Sequence, residues 1–157
     1  MLMNQNRELV ESILRNGREL HLAMIDSEDP YVLPLNYGYR EGSIYIHSRR
    51  KGRKLDCLRA HPRVCFCVSE VVERVGGQRG CQWTTAFRSV VGYATARIID
   101  DREEKIAGYD ILMAHFGGPV GDYEERYLQE SLFICLELET VSVRHSEGLL
   151  EEGSRAL

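Results

Sequence analysis

PLNYGYREGSIYIHSRRKGRKLDCLRAHP, residues 34–62, carries a strand pair, a cation-rich loop and the start of a helix in one run. An extended segment from Leu33 to Tyr39 reaches a turn at Arg40-Glu41-Gly42 and returns through Ser43 to His47, the pattern of a β-hairpin. The returning strand runs into Arg49-Arg50-Lys51-Gly52-Arg53-Lys54, five cations in six residues. Leu55 to Ala60 then reads as a short helix stopped by Pro62. A strand end, a glycine-containing basic loop and a helix N-terminus together make an anion seat, because the first turn of a helix presents free N–H groups and a positive dipole end.

Three readings of the cation run stand side by side. It can be a solvated face, a nucleic-acid patch or the grip on a cofactor phosphate. A formal net charge of −4, a pI near 5.8 and a single basic cluster weigh against nucleic acid. The hairpin beside the loop favours the phosphate, since it supplies a rigid wall and a His47-Ser48 pair expected to point into the same corner.

Outward from this stretch, Asn4 to Asn16 has Leu9, Val10, Ile13 and Leu14 on one face of a helix closed by Gly17. Leu20 to Ile25 is expected as a strand, then a turn over residues 26–30. Beyond Pro62, strands are expected at Arg63–Val75, Phe87–Ile99 and Leu132–Val143, with Gly92 marking a bulge or bend. Asp100-Asp101 can cap a helix over Arg102–Phe116, and a short helix follows over Asp122–Gln129. These elements predict a mainly β (α+β) fold, a six-stranded antiparallel barrel with peripheral helices, and their pattern fits an open α+β sheet equally. The organisation is an N-terminal helix (1–17), one domain (18–145) and a polar tail (146–157) expected to be mobile.

At 157 residues the chain is long enough for one real core. No apolar run approaches the ~20 residues of a membrane span, and the first residues lack the apolar centre of a signal peptide. A cytoplasmic protein without a membrane partner is the expectation. The five cysteines include no C-x-x-C pair, and with His61 they match no usual zinc spacing, so reduced thiols and no metal are expected. Dinucleotide, P-loop, nucleophile-elbow and H-E-x-x-H motifs are all missing from the sequence. Of the five histidines, His47 alone lies beside the cation cluster.

Taken together, VLPLNYGY, GSIYIHS, GRKLDCL, HPRVCF and CQWTTAFRSVVGYATA resemble, in order and spacing, the pyridoxamine 5′-phosphate oxidase-like flavin-binding split barrels, and within them the nitroimidazole-resistance branch. The resemblance spans roughly residues 15–145 and implies a six-stranded split barrel, homodimeric, with FMN (FAD in some members) in a groove between subunits. It implies that Arg53 and Lys54 grip the flavin phosphate and that His47 and Ser48 touch phosphate or ring. It further implies that Leu33, Pro34, Leu35 and Asn36 run along the isoalloxazine, and that the segment from Trp83 to Ser89 forms a neighbouring wall. Oxidation of pyridoxamine phosphate is not expected, because the chain lacks the C-terminal extension of the true oxidases. Ala86 and Phe87 stand where a basic residue and Tyr occur in the nitroimidazole branch. The function implied is an FMN-dependent oxidoreductase for small electron-poor compounds such as 5-nitroimidazoles, with His47 as its catalytic residue. The alternative is a non-catalytic flavin- or haem-binding module, and a deazaflavin would fit the same groove.

Overall fold

The computed structural model describes the backbone of residues 2–146 and the side chains from residue 7 onward. Most of the expected tail, from residue 147, lies outside the described residues. The elements follow in order: α1 Leu2–Asn16, β1 Leu20–Asp26, β2 Asp29–Leu35, β3 Gly38–Arg40, β4 Ser43–Arg49, α2 Arg53–Ala60, β5 Arg63–Val75, β6 Thr84–Ile99, α3 Arg102–Phe116, α4 Glu125–Glu130 and β7 Ser131–His145. The strands form one antiparallel sheet in the order β2-β1-β5-β6-β7-β4-β3.

Period-two alternation sorts this sheet into two faces. On the inner face Leu22, Ile44, Ile46, Phe66, Val90 and Ile134 close on Ile13 and Leu14 of α1 and on Leu55 and Leu58 of α2. Each such side chain withdrawn from water contributes about 1.5–3 kcal/mol, so this face carries the main core. On the outer face a smaller cluster of Ile99, Phe133, Cys135 and Tyr45 meets Tyr109, Leu112 and Met113 of α3. Asp101 caps α3, its carboxylate accepting from the Glu103 and Glu104 N–H groups at 3.0 Å each.

The fold is the split barrel, with seven strands rather than six. The extra strand arises because the run Leu33–Tyr39 does not stay in one strand. Tyr37 turns fully into the core, and its hydroxyl donates to the Leu14 carbonyl at 2.8 Å. Gly38 then passes so close to α3 that a Cβ there would stand 2.9 Å from the backbone of Ile111 and Leu112. The chain therefore switches partners: β2 pairs with β1, and only β3 forms the hairpin with β4. Gly92 lies beside a register shift at Tyr93/Ala94, its missing Cβ making room for Phe66 and the Thr140 carbonyl.

The partner switch leaves the barrel open. Among the described residues β2 has no neighbour on its outer side, and β4 loses β3 after the Gly38–Tyr45 pair. Two unpaired backbone edges, one along β2 and one along Ile46–Arg49, thus border the split.

Candidate functional site

The split holds a cavity of about 390 Å³ lined by Pro34, Leu35 and Asn36 of β2 and its exit, His47 of β4, Leu112 and Phe116 of α3, and Glu19. That size suits a small-molecule site, for which about 300–1,000 Å³ is usual. Pro34 is tolerated here because an edge strand need not donate every N–H to a neighbour. Leu33, on the opposite side of the strand from Pro34, packs against the main core and does not line the cavity.

His47 and Ser48 do not share a corner. Consecutive strand residues point to opposite faces, so His47 faces the cavity while Ser48 is buried, its hydroxyl donating to the Arg49 carbonyl at 3.0 Å. The His47 ring lies 5.4 Å from the Tyr109 ring and 5.7 Å from Phe133. Tyr109 is held in turn by its hydroxyl, which donates to the Ser131 hydroxyl at 3.0 Å. Burial first, and the Lys54 ammonium second, push the His47 pKa below its ordinary 6.5, so the ring is neutral at pH 7.

The five cations divide by task. Arg50 is spent on structure: its guanidinium pairs with Asp100 and donates to the Gln129 and Ser131 carbonyls at 3.1 and 3.3 Å. The buried Lys105 ammonium joins it, 3.1 Å from Asp100 and 2.6 Å from the Leu128 carbonyl. Between these two cations the Asp100 pKa falls to about 2. Arg53 pairs with Asp26 and lies 4.2 Å over the Tyr31 ring, on the β1–β2 side of α2. Lys54, expected to grip a phosphate together with it, leaves the helix about 100° away, as a helix neighbour does. Lys54 is the half-buried cation of the set; it forms no salt bridge among the described residues, and burial lowers its pKa. Arg49 and Lys51 are exposed.

Beside Lys54 the helix N-terminus is open. Gly52 at its N-cap has φ 135°, a conformation that strains any L side chain, and no side chain caps the first turn. The cradle therefore fits a phosphate ester: an unpaired, partly desolvated ammonium beside uncapped helix N–H groups, next to a neutral imidazole and two free strand edges. Among the described residues no three His, Cys, Asp or Glu side chains gather closely enough to hold a metal.

Trp83 and Ser89 are not at this cavity within one chain. Phe133 stands in register with both His47 and Ile99, and Ser89 is ten residues back along β6 from Ile99. At ~3.3 Å per residue that is about 33 Å of strand. Trp83, 64% exposed, folds back on the β5–β6 connection and donates its indole N–H to the Gly77 carbonyl at 3.0 Å. Conversely, sequence reasoning missed Leu112 and Phe116 as cavity walls and the Asp100–Lys105–Arg50 clamp. The apolar spacing of α3 was the available signal for the first. Nothing in local spacing marks the second, which joins residues up to 81 apart.

The solved structures most similar in shape include a candidate 5-nitroimidazole antibiotic resistance protein from Bacteroides thetaiotaomicron VPI-5482. It is 24% identical, with 88% of this chain and 83% of that one covered and a TM-score of 0.79. The FAD- and haem-binding protein of Mycobacterium smegmatis is 19% identical over 90% of this chain and 72% of its own, with a TM-score of 0.79. A FAD-binding protein of Mesorhizobium loti is 25% identical over 87% and 92%, with a TM-score of 0.65. Among curated sequences, the uncharacterized protein RA0666 of Rhizobium meliloti (strain 1021) is 28% identical over 65 residues, a match spanning 42% of that relative's length. The pyridoxamine 5′-phosphate oxidase family model matches residues 6–145, nearly the whole described fold with its split and cavity, and the chain belongs to that family.

Proposed function

We propose that this chain binds FMN in the split between β2 and β4 and acts, as a homodimer, as an oxidoreductase for small electron-poor compounds such as nitroimidazoles. The observation that carries the reading is an uncommitted, half-buried Lys54 whose charge acts on His47, a wall of the cavity that the β2 edge also lines. Flavin-binding relatives with the same fold support it.

In this reading Lys54 and the open N-terminus of α2 take the phosphate, and the β2 edge at Leu35 and Asn36 offers backbone groups to the polar rim of the ring system. Leu35, Leu112 and Phe116 exclude water from one side. The flavin, when bound, supplies hydride and electron transfer. His47 holds a proton on one ring nitrogen, close enough to the cavity to donate a hydrogen bond to a nitro or carbonyl oxygen.

A second copy completes the site. On the outer sheet face Ile25, Val71, Val91 and Tyr93 are 39–59% exposed, clustered with Cys65 and Cys67 and continuous with Phe87 and Ser89. A partner packed there covers this apolar face and brings its own Trp83–Ser89 segment to the open side of the cavity. The purified protein, passed through light scattering and then heated, is expected to show a mass near twice 18.0 kDa and to release FMN. A colourless monomer that takes up no flavin would refute the proposal, and a haem spectrum would refute its cofactor.

A further inference from the structure

The cavity at the split does not end at Phe116. Asn36 and Phe116 also wall a second cavity of about 470 Å³, completed by Arg15, Asn16, Gly17, Arg18 and His115. The shared walls make one continuous groove running from His47, past the exit of β2, to the space between the ends of α1 and α3.

The second cavity is lined by two guanidinium groups and an imidazole, with no carboxylate. Arg15 is partly spent on Glu11, 3.2 Å away, whereas Arg18 forms no ion pair among the described residues. A helix C-terminus is the negative end of its dipole and by itself repels anions. Here the carbonyls responsible are already engaged. Ser12 accepts from the Asn16 side chain at 2.7 Å, Ile13 from the Gly17 N–H at 2.9 Å, and Leu14 from the Tyr37 hydroxyl at 2.8 Å. The Gly17 carbonyl accepts from His115 Nε2 at 2.7 Å, which fixes the proton on Nε2 and leaves Nδ1 as the ring's remaining polar atom. At the end of α3, Met113 and Ala114 carbonyls accept from the Gly118 and Gly117 N–H groups. The groove's carboxylate, Glu19, lines the first cavity and lies 3.6 Å from His21.

We propose that this second cavity seats the anionic end, a carboxylate or phosphate, of a planar electron-accepting substrate whose reactive end reaches into the first cavity. The inference rests on the flavin reading above. Lys54 lies on the His47 side of the groove, so a flavin's phosphate, and any adenylate attached to it, occupies that end. The Arg18 end is thereby left to the second reactant, and Arg18 is the group that selects it.

The test compares 4-nitrobenzoate with the isosteric, neutral 4-nitrobenzamide by calorimetric titration of flavin-free and FMN-loaded protein. A charge-assisted contact at Arg18 should make the benzoate at least tenfold tighter. Arg18→Met should abolish that preference while leaving the amide unchanged, and Arg18→Lys should keep most of it. Equal binding of the two compounds, or a preference that survives Arg18→Met, overturns the inference. FAD binding more tightly than FMN in the wild type but not in Arg18→Met would assign the seat to the cofactor's adenylate phosphate and overturn the substrate assignment. Failure to bind FMN with the Arg18-dependent preference intact would overturn the flavin reading and leave the anion seat standing.

Discussion

At the scale of single residues, alternation and divergence decide which side chains can work together. His47 and Ser48 part because a strand sends neighbours to opposite faces, and Arg53 and Lys54 part because a helix turns about 100° per residue. The sequence shows the cations as a run but not their partners, since Asp26 lies 27 positions from Arg53 and Asp100 lies 50 from Arg50. His47 itself was legible as the histidine beside the cluster. The direction of its pKa was not, because burial and a neighbouring ammonium are facts of the fold. That direction has a consequence for stability. As pH falls, the unfolded chain protonates this histidine near 6.5, before the native state does. The contribution of neutral His47 is therefore fully present above about pH 6.5 and is lost as pH falls through 6.5 towards the folded value. The melting temperature of the apo protein should drop more between pH 7.5 and 5.5 for the wild type than for His47→Gln, and equal drops would remove this assignment.

At the scale of elements, α3 and the segment around β4 act as one piece. Asp100, at the end of β6, binds Arg50 from the basic loop and Lys105 from α3, and both cations donate to the Ser131 carbonyl at the start of β7. The Ser131 hydroxyl receives Tyr109, whose ring lies tilted beside His47. The clamp thus fixes the loop that leads to Lys54 and the ring that supports His47 without touching the cavity. Lys105→Met leaves the buried Leu128 carbonyl and Asp100 without their ammonium, and a lost buried partner costs about 1–3 kcal/mol. The variant should fold with a lowered melting temperature and bind FMN several-fold more weakly, both measurable by calorimetry; unchanged FMN affinity would show that the clamp holds only the fold. Period and capping made most elements readable: β5 and α3 match their expected ranges, and Asp101 caps as its sequence position suggests. The break at Asn36-Tyr37 was not readable, because it depends on Tyr37 meeting α1 and Gly38 meeting α3, contacts made far along the chain.

At the scale of the whole molecule, an open barrel is the source of the site. A closed sheet would satisfy its edges internally; this one, among the described residues, leaves β2 and the end of β4 unpaired around a cavity whose His47 feels the Lys54 charge. Short antiparallel strands and a glycine-marked bend made a mainly β fold legible, the resemblance supplied the split barrel, and the partner switch between β2 and β3 was unforeseen. Trp83 and Ser89 lie around the start of β6, at the far end of that strand from Ile99, and in the proposed homodimer a second copy brings them to the cavity. In the proposed function Lys54 makes this split a phosphate-anchored flavin site, with Arg53 secondary because Asp26 already holds it. Titrating apo protein with FMN and with riboflavin, which lacks the phosphate, tests it most directly. The wild type should bind FMN at least tenfold more tightly than riboflavin; Lys54→Ala should erase most of that difference, and Arg53→Ala should erase less. Equal affinity of the wild type for the two flavins, or an FMN preference untouched by Lys54→Ala, would rule out Lys54 as the phosphate anchor.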